Sequence, residues 1–192
     1  MNRSLCYLIA GCLVLTLCSC ISPRGGTMEN KRAAVDNMHD ETLMYLYQQR
    51  PSAEAVINRA SGYAVFSNVN AQYLIVGGGG GFGVAINNES KQKTYMKMVQ
   101  LDLGFGIGVQ DIRVVFVFHT EKALTNFIYR GWDFSAQADA TVKGRGKGLS
   151  ATGELSIDSE TSVYTLSESG LMVKLNLAGT KYWKYDDLNY LE

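Results

Sequence analysis

From Asn37 onward the apolar positions first recur every three or four residues, and after Gly62 they recur every two. Leu43, Leu46 and Tyr47 share one helical face. Either Asn37 or Asp40 can cap that helix, and Arg50-Pro51 breaks it. Ser52 is expected to cap a second helix through Arg59, with Ala53, Val56, Ile57 and Ala60 as its stripe and Gly62 as its stop. Both helices read as covers for an edge or end of a sheet.

The period-two region opens with short strands at Tyr63–Phe66 and from Tyr73 through the glycines to Ile86. Asn87-Asn88-Glu89-Ser90 has turn composition. Tyr95–Val109 alternates, with Val99, Leu101, Leu103, Phe105, Ile107 and Val109 on one face and Gln100, Asp102, Gly104, Gly106 and Gly108 on the other. Ile112–Phe118 is apolar on both faces, as in a central strand. Thr120 caps a third helix reaching Tyr129, with Leu124, Phe127 and Ile128 toward the core. Asp133–Val142 alternates again, and strands near Leu155–Ile157, Ser162–Leu166 and Leu171–Leu177 follow. Tyr182-Trp183-Lys184-Tyr185 and Tyr190-Leu191 read as surface or edge packing.

Strands in series after two helices, without repeated strand–helix units, predict an α+β fold. The expected sheet is curved, mostly antiparallel or barrel-like, with two N-terminal helices and one more near 120–129. Gly104, Gly106 and Gly108, with the small Ala136–Ala140 face, mark a bend or a close approach by another layer.

Residues 1–19 follow a different logic. Arg3 precedes an apolar run from Leu5 to Leu17, a secretory leader too short for a membrane span. Leu17-Cys18-Ser19-Cys20 resembles a bacterial lipobox, in which Cys20 is diacylated and becomes the first mature residue. Ile21, which is not Asp, fits outer-membrane sorting. Residues 20–36 read as a tether, and 37–192 as a single domain. Cys6, Cys12 and Cys18 leave with the leader, so no disulfide or thiolate site is expected.

The 192 residues carry 18 basic and 18 acidic side chains, which argues against general nucleic-acid binding. Gly78, Gly80 and Gly83 satisfy a dinucleotide pattern, but strand rather than helix follows them. His39 and His119 lack neighbouring ligands; His39 reads as a solvated helix-start residue and His119 as a helix-start or core residue. Asp102, Asp133 and Asp139 read as surface carboxylates. No active site emerges, so the chain is expected to be non-catalytic and to use no cofactor. Lys143, Arg145 and Lys147 alternate with glycine in a basic loop suited to lipid head-group phosphates, or serving to keep a hairpin tip solvated.

Several ordered segments together carry a family likeness. They are Ala60-Ser61-Gly62-Tyr63-Ala64-Val65-Phe66, the glycine-rich Val76–Gly83, Leu103–Gln110, Asp111–Phe118, and Val163–Leu171. Over residues 53–180 the chain resembles the SYLF, or Ysc84 actin-binding, domain family. Ser67 stands where the family usually has Pro, and Tyr95-Met96 where it often has Trp. The resemblance implies lipid binding, with actin binding known in fungal members. An exported bacterial protein would not meet actin, so the expected partner is the membrane, through the lipid anchor and anionic phospholipid head groups. A purely structural lipoprotein that binds another envelope protein is the alternative.

Overall fold

The computed structural model describes residue 23 and residues 25–133, 155–167, 170–172 and 180–190. Helices α1 (Met28–Gln49) and α2 (Ser52–Arg59) lead into β1 (Gly62–Asn87) and β2 (Lys93–Phe118). Helix α3 (Glu121–Arg130) follows, then β3 (Trp132–Asp133), β4 (Leu155–Ser156), β5 (Thr161–Ser167), β6 (Gly170–Met172), β7 (Thr180–Lys184) and the short α4 (Asp186–Asn189). The fold is α+β, and every described strand pair is antiparallel.

Strand β2 is the spine. β1 pairs with it from Gly62↔Phe118 to Ile86↔Lys93. Its other edge holds β7 at Met96–Gln100 and β5 at Ile112–Phe118. β3 lies outside β7, and β4 and β6 lie outside β5. Among the described residues this ladder does not close into a ring.

The sheet is strongly curved nonetheless. A straight strand as long as β1 would span roughly 85 Å. Yet the Asn88 N–H donates to Ser61 O at 2.9 Å, so the two ends of β1 meet. Gly62 and Gly83 permit this. A Cβ on Gly83 would lie 2.2 Å from Val65 O, and one on Gly62 would lie 2.4 Å from Ile86 O. Strands cross that closely only where there is no side chain.

Two apolar layers result, one on each face. α1, α2 and α4 cover Val65, Val84, Ile86, Val115, Val117, Tyr164 and Leu166. α3 covers Ala64, Phe66, Ala85, Met96, Met98, Val114, Phe116 and Phe118. The second layer is aromatic: the Phe66 ring lies 4.9 Å from that of Tyr182, and Phe118 4.9 Å from Phe127. Rings at such separations add to the gain from burial alone.

A register shift between Leu74 and Val76 sets which residues face which layer. In β2 the odd residues 115 and 117 and the even residues 96, 98, 114, 116 and 118 keep one parity throughout. In β1 the parity switches: Val65 faces the α1 side, but so do Val84 and Ile86. Shifting the pairing by one residue reverses the facing of everything beyond it.

Several sequence readings hold here. Thr120 Oγ1 accepts from Ala123 N at 3.2 Å, and Leu124, Phe127 and Ile128 are buried. Ala53, Ile57 and Ala60 are buried, with Val56 partly so. Asn87 Oδ1 accepts from the N–H groups of Glu89 and Ser90, which closes the expected turn.

Others need correction. α1 starts at Met28, capped by Thr27, so residues 28–36 of the expected tether are helical. Its N-terminal turns are held from the far end of the chain: Arg32 donates to Leu188 O at 2.8 Å and to Tyr190 O at 2.7 Å. Pro51, not Ser52, precedes the first turn of α2, without a side-chain cap. Gly62 begins β1 rather than ending a helix, because Ile86 O and Leu124 need its space. On β2, Gln100 is buried while Val99 is only half-buried, Gln100 sharing the parity of Met96 and Met98, which face the α3 layer. Tyr182 is fully buried, because its side of β7 faces the aromatic layer and its ring packs against Phe66, Phe116 and Phe127.

Candidate functional site

The residues singled out from the sequence, Cys20 and the basic trio Lys143, Arg145 and Lys147, lie outside the described residues. So does the strand expected at Asp133–Val142, apart from Asp133 itself, which belongs to β3. The described surface divides into two polar faces.

On the α1 face, charged groups fasten helix to sheet. Tyr95 Oη donates to the Asp36 carboxylate at 3.3 Å, and Lys93 Nζ lies 2.9 Å from the same group. Arg113 reaches Glu41 at 3.6 Å and donates to Thr42 Oγ1 at 3.3 Å. Asn189 Nδ2 donates to Tyr95 O and Tyr185 O, while its Oδ1 accepts from Tyr95 N. These bonds fix α1 and α4 against β2.

His39 is not at a solvated helix start. It sits buried in the middle of α1, with Nδ1 2.7 Å from Asp40 Oδ1 and Nε2 3.0 Å from Tyr63 Oη. Its ring stacks on Tyr63 at 5.7 Å. Carboxylate, imidazole and hydroxyl in a row resemble a nucleophile relay. The phenol, however, is pushed the other way. Burial first, then the charges of Tyr47 and Asp40, raise Tyr63 to about 12. The row therefore holds a protonated phenol and joins α1 to β1. His119 is exposed beside the α3 cap, as its helix-start reading has it, with Nε2 3.0 Å from Ser162 Oγ.

On the α3 face the chemistry is cationic and aromatic. Lys184 Nζ lies 6.0 Å from the Tyr129 ring centroid, and Tyr129 is 71% exposed. Lys122 and Arg130 are exposed on the same helix. On the opposite side of β7, Lys97 Nζ lies 4.7 Å from the Tyr185 ring and 5.7 Å from that of Trp183. Both separations suit cation–π attraction. The sequence reading missed these pairs. Lys122, Asn126 and Tyr129 follow the i, i+4, i+7 spacing of one helical face, which was the available signal. Their partners on β7 come from far along the chain and gave none.

Among the described residues, no three His, Cys, Asp or Glu side chains gather as a metal site. None of the described helices is long and apolar enough to cross a membrane.

Residues 99–191 match the family model Ysc84, described as "Las17-binding protein actin regulator". The match begins within β2 and extends past α4. Beta cell expansion factor A from Aeromonas veronii is 30% identical over 162 residues, covering 84% of this chain and 60% of that protein. The chain thus spans less than two thirds of the length of that curated relative. With the ordered motifs, the family match and this relative in agreement, the chain belongs to the Ysc84 (SYLF) family.

Proposed function

We propose that this protein is a non-catalytic, lipid-anchored envelope lipoprotein whose Ysc84 domain binds phospholipid. Diacylated Cys20 holds it in the outer membrane, facing the periplasm. Lys143, Arg145 and Lys147 contact anionic head groups. The observation carrying this reading is the family match over residues 99–191, taken with the lipid binding that the family resemblance implies. The leader and lipobox supply the anchor, and two acyl chains hold stably where one is marginal.

Vesicle flotation tests the reading. The chain lacking residues 1–20 is mixed with phosphatidylglycerol-containing vesicles and with pure phosphatidylcholine vesicles at low salt. Binding to the anionic vesicles is expected. Changing Lys143, Arg145 and Lys147 to Ala weakens it by about fivefold per charge removed. An absence of binding at low salt would favour the alternative, an envelope lipoprotein that binds another protein. Mass spectrometry of the native protein tests the anchor; a free thiol at Cys20 would remove it.

A further inference from the structure

We propose that the outer face of α3, together with Lys184 of β7, is a second membrane-contact surface that lies against an anionic bilayer. This rests on the lipid-binding reading above and adds a site to it. Three features of the fold carry the inference.

The first is the composition of the exposed stripe. Lys122, Tyr129 and Arg130 project outward on α3 while Leu124, Phe127 and Ile128 fix its inner side in the core. Lys184 joins them from β7, its ammonium over the Tyr129 ring. A phenol beside three cations suits the head-group region, where an amphipathic ring sits between water and hydrocarbon.

The second is that these charges are not consumed within the fold. Among the described residues, none of the ion pairs involves Lys122, Arg130 or Lys184. Glu121, the acidic residue of α3, accepts instead from Asn87 Nδ2 at 3.1 Å.

The third is the contrast between the two sides of the sheet. Among the described residues, the opposite helix layer exposes Glu29, Asp40, Glu41, Glu54, Asp186 and Asp187 against the single exposed cation Arg59, whereas α3 exposes Glu121 against Lys122 and Arg130. An anionic surface attracts the α3 side and repels the other, so the charge distribution orients the domain as well as binding it.

The test compares two charge-matched variants of the chain lacking residues 1–20. Arg130→Gln/Lys184→Gln removes two cations from the proposed face. Arg59→Gln/Lys91→Gln removes two exposed cations from α2 and the β1–β2 turn. Binding is measured by flotation on vesicles of phosphatidylglycerol and phosphatidylcholine. The first variant is expected to lose about 25-fold in affinity, and the second to stay close to the parent. Tyr129→Ala is expected to weaken binding severalfold with little change in stability, because the ring is 71% exposed. Equal losses in the two charge-matched variants would overturn the proposal, leaving only net charge. Parent-like binding by Arg130→Gln/Lys184→Gln would also overturn it; if the Lys143, Arg145 and Lys147 variant alone lost affinity, the lipid reading itself would stand. Failure of the parent to bind any vesicle would overturn both, and would point to a protein partner for this face.

Discussion

Asn88 and Ser61 stand at opposite ends of a 26-residue strand, yet the Asn88 N–H donates to Ser61 O at 2.9 Å. The β1–β2 hairpin is therefore rolled until its turn rests on its own entry. The Asn88 side chain completes the contact, with Nδ2 donating to Ile57 O at 2.7 Å and Ala60 O at 2.9 Å. It thereby supplies a donor to two carbonyls at the end of α2.

Asn88→Ala should accordingly cost about 1–3 kcal/mol, because part-buried carbonyls lose their donor. Urea denaturation measures it. Hydrogen exchange should also speed up at the end of α2 and in the turn before it does elsewhere. A neutral substitution would mean that water replaces the amide at no cost.

Gly83→Ala should destabilise by about 2 kcal/mol or more, since the new methyl meets the Val65 carbonyl and the Phe66 ring. Backbone on one side and a packed aromatic ring on the other leave little room to yield. Gly26→Ala is the control, as a Cβ there has nothing within 4 Å. The difference in thermal midpoint between the two variants is the readout; equal midpoints would contradict the rolled hairpin.

Thr165 offers the opposite sign. Its hydroxyl is buried on the sheet and has no hydrogen-bond partner among the described residues. Thr165→Val exchanges the hydroxyl for a methyl of similar shape, and stability should rise by about 1 kcal/mol. An unchanged or lower urea midpoint would show that the hydroxyl is satisfied after all.

Alkaline stability follows from two phenols. Burial chiefly, then Asp36, raise Tyr95 to about 12, and Tyr63 is raised to about 12 as well, from an ordinary value of 10.0. Above pH 10 the unfolded chain loses these protons while the folded chain keeps them. The stabilisation is thus fully present below pH 10 and is lost as pH rises through about 12. The urea midpoint should fall across that window, and more gently in Tyr63→Phe. Tyrosinate absorbance should lag behind that of the denatured chain over the same range.

Local interactions explain what was readable in advance. The α3 cap, its buried stripe and the Asn87 turn each depend on residues within a few positions of one another. Alternation marked the strands, and the ordered glycine and aromatic segments marked the family. The start of α1 escaped because its first turns are polar and are secured by Arg32 to carbonyls more than 150 residues away. His39 looked solvated for a similar reason: its stacking partner, Tyr63, is on another element.

Sequence alone determined the kinds of element, their order and the family, because backbone preference and side-chain periodicity act over a turn or a pair of strand residues. The tertiary structure decided which face of each element is inside. The register shift at Leu74/Val76 put Val84 and Ile86 beneath α1, and the layer of Phe66, Phe116 and Phe127 buried the Tyr182 ring. It also set Lys184 of β7 over Tyr129 of α3. The physical reason is range: pairing register and layer packing join residues far apart in the chain, and no local pattern of apolar and polar positions records which partner they will meet.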